Sequence, residues 1–520
     1  MKHGKEYWLS LRDKADTAEY RELIEREFPE GTVELASSMN RRTFITLMGA
    51  SVALAGLTSC RRPEEQIVPY VSRPEEVTPG NIQRYATSMP LGTDNATLLV
   101  DSREGRPVKV SGNCGNAATG SASSVWANAS VLTLFDPDRS RQTLAGGAET
   151  MLASFLSAWT PLQATYAANG GEGLALLCRP FASPTLQRLL DAFKTAYPAA
   201  TVACHDAVSD ENILEGSRIA FGRPLRPRYD FAKADVVVAL DADLFGTEYD
   251  ALAGARAFAA RRQVLATGDS TNRLYVVEPT LTQTASLADH RLRLPATQVP
   301  VFLAALTQEL AARGLAVPAA LTGSLPRPDG MNTAWIDAVA DDLLATRGKA
   351  ILAAGRGQQP AVHAVIAQLN AALGNAGSTV QYAEHAFAME SSVQDLAGLT
   401  TSMKDGKVET LVILDGNPVF NAPADLAFRS AMENVKTSVH SGLFVDETAT
   451  ASTWHIPQRH YLEAWGDVSS LHGHLGVIQP LIEPLYADGL SDIEFLQLLI
   501  DGSQQKGLDL VRATWSALLP

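Results

Sequence analysis

Cysteine is scarce in this chain. There are four in 520 residues, and no CxxC occurs anywhere. That excludes a disulfide scaffold, and besides Cys60 near the amino terminus only three thiols remain, one short of the four that an iron–sulfur cluster generally takes. Basic excess is also missing: 57 acids stand against 43 bases, for a net charge of −14. No basic stripe is present, so the sequence argues against a nucleic-acid partner. Long apolar runs are absent too. The run Phe44–Leu57 has 14 residues, whereas a spanning helix needs about 20. There is no nucleophile elbow, no Walker loop and no HExxH. What is abundant is apolar side chain, 46% of the sequence against 19% charged. A chain of this length and composition builds large cores and more than one domain.

The amino terminus reads as an address. Asn40-Arg41-Arg42-Thr43-Phe44-Ile45 precedes the short apolar run, the pattern of a twin-arginine export signal. The run ends in Leu57-Thr58-Ser59-Cys60, which resembles a bacterial lipoprotein box with Cys60 as the lipid-bearing thiol. Both features place the chain on the periplasmic side of a bacterial cytoplasmic membrane. One acyl chain binds a membrane only marginally, so stable attachment requires more chains or partner subunits. Ahead of Arg41 lies a polar stretch with Tyr7, Trp8, Leu11, Tyr20, Leu23, Ile24 and Phe28 at helical spacing. The expected organisation is an extended leader over 1–59, a linker and small β-rich region over 60–145, a first α/β domain over 146–325 and a second over 326–520.

Strands and helices alternate after residue 145. Leu174–Cys178, Ala234–Leu240, Ala350–Ala354 and Leu411–Leu414 are continuous apolar runs, as expected for strands buried on both faces of parallel sheets. Ser183-Pro184 provides an N-cap and a proline at the first helical position. Ser491-Asp492-Ile493-Glu494 is a capping box. Val100–Val110 reads as a hairpin turning at Gly105, and Gly112–Ser124 as a loop. The expected fold is α/β, with two doubly wound, Rossmann-like parallel-sheet halves.

Several residues invite chemistry, each with a plainer reading beside it. Gly355-x-Gly357 follows a strand and could cradle a phosphate, or it is a tight turn. Asp241, Asp243, Glu278 and Asp415 end predicted strands, where ligands bind in open α/β sheets and where helix caps also sit. His455, His460, Glu463, His472 and His474 fall within 20 residues, but their spacing matches no standard zinc site. Cys178 and Cys204 lie on core strands as small apolar residues, and Cys114 lies in the loop.

The ordered set of segments resembles the molybdopterin oxidoreductase family. It comprises Val100–Val110, Asp136-Pro137-Asp138-Arg139, Ala234–Leu240, Thr284–Leu294, Leu369–Gly374, Leu411–Pro418, Asp446–Ala449, His455-Ile456-Pro457 and Leu462–Asp467. Within that family, Ile67–Tyr70, Tyr85–Thr87, Leu132–Ser140, Gln479–Tyr486 and the long leader resemble the B subunits of alternative complex III. The resemblance implies a part shaped like a molybdopterin enzyme but carrying no molybdenum. It implies iron–sulfur clusters on a ferredoxin-like part that lies outside this sequence. It further implies multihaem cytochrome and membrane quinol-oxidising subunits as partners, with the lipid membrane reached through Cys60. The expected role is a non-catalytic scaffold in respiratory electron transfer. The competing expectation is an active bis-pterin molybdenum oxidoreductase, whose pocket would involve Gly355, Gly357, Gly416, Asn417 and Glu447. A third is an exported binding protein for a small ligand.

Overall fold

The computed structural model describes Ala18 and residues 77–519, apart from 79, 117–118, 319–320 and 322–332. Arg41, Arg42 and Cys60, the residues of the expected export signal and lipid site, lie outside the described residues. The chain opens on an antiparallel sheet of β1 (Ile82–Leu91), β2 (Asp94–Arg103) and β3 (Arg106–Gly112). Gly105 turns the β2–β3 hairpin with φ +81°, a conformation that costs glycine nothing because it has no Cβ. Leu98, Val100 and Val110 bury their side chains against Ala127 and Leu134 of the helix Val125–Leu134.

Two larger sheets follow. β4 (Thr143–Ala145), β5 (Ala148–Thr150), β6 (Leu174–Cys178) and β8 (Thr201–Cys204) belong to the first, while β7 (Phe181–Ala182) stands apart. The chain then passes through β9 (Arg226–Tyr229). It builds a four-stranded parallel sheet from β10 (Val236–Leu240), β11 (Arg273–Glu278), β12 (His290–Arg293) and β13 (Ala350–Ala354). It returns through β14 (Val380–Ala383), antiparallel to β9, and β15 (Ala388–Met389), antiparallel to β7. β16 (Thr410–Leu414), β17 (Thr437–Gly442) and β18 (Trp454–Pro457) complete the first sheet, in the order β5-β4-β18-β17-β16-β6-β8. β19 (Gly466–Ser469) and β20 (Leu475–Ile478) form a final hairpin.

Every residue of β6, β10, β13 and β16 is buried, because helices cover both faces. Side chains alternate between two cores at period two. On the seven-stranded sheet, Leu174, Leu176, Val412 and Leu414 meet Phe155, Trp159 and Phe193. Ala175, Leu177, Leu411 and Ile413 meet Leu396, Leu399 and Phe428 on the other side. The four-stranded sheet repeats the scheme, with Val236, Val238 and Leu240 on one face and Val237 and Ala239 on the other.

The pairing of the strands departs from the sequence reading. β13 was expected in one unit with β16, yet β13 pairs β10 and β16 pairs β6. The stretches that build the two sheets alternate along the chain, and neither follows the expected break at 325/326. The physical reason is that all four central strands are short, uninterrupted apolar runs. Their pattern says that each is buried and nothing about its neighbour.

Candidate functional site

Ligands of doubly wound sheets bind beyond the strand carboxyl ends, where the strand order reverses. This chain has two such places. In the seven-stranded sheet the reversal lies between β6 and β16, and in the four-stranded sheet between β10 and β13.

At the first, β6 runs into Arg179 and β16 into Asp415, and the two side chains form an ion pair at 2.7 Å. Asp415 has φ +58°, and its Oδ1 accepts from the Gly416 amide at 2.7 Å. Asn417 donates to Glu447 Oε2 at 2.7 Å and accepts from the Thr448 amide and hydroxyl at 3.2 and 2.7 Å. Gly416, Asn417 and Glu447 thus come together, and they pin the helix Glu447–Ala451 to the end of β16. Gly355 and Gly357 belong to the other sheet.

Beneath Gly416 runs a buried hydrogen-bond chain. The Gly416 carbonyl can only accept, so His440 Nε2, at 3.1 Å, carries a proton. Neutral His440 then accepts at Nδ1, which lies 3.0 Å from His455 Nδ1, so His455 donates there. His455 Nε2 in turn accepts from the Ser140 hydroxyl at 2.7 Å. One consistent set of neutral tautomers follows. Burial, aided by His440, pushes His455 down to about 3. The other residues of the histidine-rich stretch lie elsewhere. His460 pairs with Thr133, Glu463 with Arg139 and His472 with Asp250, and His474 is exposed. Among the described residues, no group of three or more His, Cys, Asp or Glu is arranged to hold a metal ion.

These rings make stability depend on pH. His363, His385 and His460 are held at about 4 by burial, alongside His455. Each folded value is below the ordinary 6.5, so the stabilisation is complete above 6.5 and is lost as pH falls toward 4. Asp94 and Asp492 oppose this, since burial raises both to about 6 and their protonation favours the fold as pH falls below that value. Four rings outweigh two carboxylates, for a net loss of roughly 5 kcal/mol at pH 5 relative to pH 7.5. Thermal unfolding across that range is expected to show the midpoint falling on acidification; a flat profile would contradict it.

At the second place, Gly355 closes on the backbone. A Cβ there would lie 1.9 Å from the Asp241 carbonyl oxygen, so only glycine fits. Asp241 accepts from Gln358 at 2.8 Å, and Asp243 accepts from the Thr284 amide and hydroxyl at 3.0 and 2.9 Å. Glu278 is fully buried, pairs with Arg291 at 2.7 Å and accepts from the Thr282 hydroxyl at 2.7 Å. The strand-end carboxylates therefore hold neighbouring loops in place. Beside them lies a cavity of about 50 Å³, lined by Asp210, Arg226, Tyr229, Leu244, Glu248 and Ala354 among others. Sequence reasoning missed Arg226, which sits on the short β9, where prolines weaken the strand pattern. Its side chain is 4% exposed and lies between Asp210 and Glu390.

The fold is of the molybdopterin-oxidoreductase type, with two doubly wound sheets, one parallel and one parallel except for β4 and β5, after a small β-rich region. Superposition on acetylene hydratase from Pelobacter acetylenicus gives a TM-score of 0.60, covering 80% of this chain and 69% of that one at 14% identity. The chain is also similar to the menaquinone reductase, molybdopterin-binding-like subunit, of Nitratidesulfovibrio vulgaris Hildenborough. The two are 24% identical over 466 residues, or 83% of this chain. The chain spans 66% of that relative's length, just under two thirds. No family model matches the sequence.

Proposed function

We propose that this chain is the molybdopterin oxidoreductase-like subunit of a membrane-associated, quinone-linked respiratory complex of the alternative complex III type, and that it acts there as a non-catalytic scaffold. Arg41 and Arg42 direct export, and Cys60 carries a lipid at the periplasmic face of the membrane. A ferredoxin-like iron–sulfur subunit, a multihaem cytochrome and a quinol-oxidising membrane subunit supply the redox centres. The similarity to a menaquinone reductase subunit supports the respiratory setting.

The observation that carries the scaffold reading is the crevice between β10 and β13. Its cavity of about 50 Å³ holds a water or two, whereas pockets for cofactor-sized ligands run to about 300–1,000 Å³. A bis-pterin dinucleotide cofactor is anionic, and the crevice sets Asp210, Glu248 and Asp250 beside Arg228 and Arg226, the latter already paired with Asp210 and Glu390. The residues there do not fit that group. Of the other pterin candidates, Asn417 and Glu447 bond to each other, and Gly416 lies under Arg179, whose Cγ would be 3.0 Å from an added Cβ. Elemental analysis of the full chain purified from its native host tests the reading. Molybdenum and tungsten are expected well below one atom per chain, and stoichiometric metal would overturn the scaffold.

A further inference from the structure

The crevice between β10 and β13 has an unusual charge arrangement. Arg226 enters it from β9 and is held on three sides. Its Nε donates to Glu390 Oε1 at 3.0 Å, and its Nη2 donates to Glu390 Oε2 at 2.7 Å and to the Thr93 hydroxyl at 2.9 Å. Its Nη1 donates to Asp210 Oδ2. The guanidinium also lies over the Tyr249 ring, 5.2 Å from the centroid. Asp210 is 7% exposed and stands at the N-cap of the helix Glu211–Phe221. Its second oxygen, Oδ1, has no hydrogen-bond partner and lies 3.5 Å from Arg356 Nε, which also faces Glu248 at 3.3 Å.

A helix start at a sheet's switch point ordinarily favours an anion. Here a carboxylate of the chain occupies that position, and two more carboxylates stand near it. Arg228 and His472 also line the crevice, but the carboxylates facing Arg226, Asp210 and Glu390, call for a planar, multiply donating cation, the geometry that a guanidinium meets with paired bonds to a carboxylate. Arg226 meets that demand from inside the chain. It also joins four separate pieces: the β1–β2 turn through Thr93, the helix start at Asp210, the loop after β10 through Tyr249, and the segment after β15 through Glu390.

We propose that the crevice between β10 and β13 is a guanidinium-class cation site which the chain fills with its own Arg226, and that its carboxylates turn away phosphate-bearing ligands. This rests on the scaffold reading and deepens it, by giving the crevice an internal occupant.

Arg226→Ala in the full chain provides the test. The variant leaves Glu390 without its cation and Asp210 with Arg356 alone, so its unfolding midpoint is expected to fall by about 5 °C or more. Added methylguanidinium at about 10 mM is expected to restore a substantial part of that loss, by the linkage of ligand to folded state. The same concentration of sodium chloride should not, and wild type should respond to neither. Inorganic pyrophosphate is expected to leave the midpoint of either protein unchanged. Absence of rescue by methylguanidinium, or stabilisation of either protein by pyrophosphate, would overturn the proposal. Should Arg226→Ala not fold, Arg226→Gln with the same additions gives the same readout. Failure of rescue overturns only the internal occupant, whereas stoichiometric molybdenum overturns the scaffold itself.

Discussion

An Arg139→Met variant is expected to lose about 3–5 kcal/mol of stability. Arg139 and Glu463 form an ion pair at 2.7 Å with both side chains 1% exposed. Arg139 also donates to the Leu134 carbonyl at 2.8 Å and to Glu463 Oε1 at 3.2 Å. Glu463 accepts from the His460 and Leu485 amides at 2.9 and 3.0 Å. Burial alone would raise the Glu463 carboxyl; Arg139 and those amides hold it below its ordinary value. Removing the arginine leaves a buried carboxylate uncompensated, the costly case for buried pairs. The double variant Arg139→Met with Glu463→Leu is expected to regain most of the loss, since no lone charge remains. Urea unfolding of the three proteins checks this. A single variant within 1 kcal/mol of wild type would contradict it. The pair joins the end of the β1–β3 region to the stretch before β19, so the loss would loosen the docking of the first sheet.

The second large effect is expected at Asn370, where substitution by leucine should cost about 3–6 kcal/mol. β13 is an edge strand of its sheet, and a side chain seals that edge. Asn370 is fully buried; its Oδ1 accepts from the Leu352 amide at 3.2 Å and its Nδ2 donates to the Leu352 carbonyl at 2.9 Å. One carboxamide thus offers Leu352 the acceptor and donor that a neighbouring strand would supply. Asn375 does likewise for the Ala350 amide at 3.2 Å and donates to Asn370 Oδ1 at 3.2 Å. Leucine matches the volume but leaves the Leu352 amide and carbonyl and the Asn375 Nδ2 unpaired. Denaturant unfolding gives the loss, and hydrogen exchange at Leu352 should accelerate in step. An unchanged exchange rate would show that Asn370 does not seal the strand.

Much of the local structure was legible in the sequence. β6 and β13 begin and end at the expected residues, Ser183 caps its helix, and Ser491 with Glu494 forms a complete capping box. These features depend on neighbours in the chain, which the sequence displays. The pairing of β13 with β10 is a long-range choice among similar apolar runs, and periodicity carries no partner label. The strand-end carboxylates were legible as positions and only half legible as roles, because Asp243 and Asp415 have partners far away in sequence. Arg179 and Arg226 were not legible at all. Nothing local marks an arginine as paired when its carboxylates come from other segments.

The alternation of segments between sheets sets an order of synthesis. β6 leaves the ribosome about 230 residues before its partner β16 exists, whereas β10 to β13 are complete by residue 354. The four-stranded layer can therefore close first, with the seven-stranded layer waiting half-built around it. Until Leu414 emerges, the inner edge of β6 stays open. A nascent chain with such an exposed edge is a natural client for a chaperone.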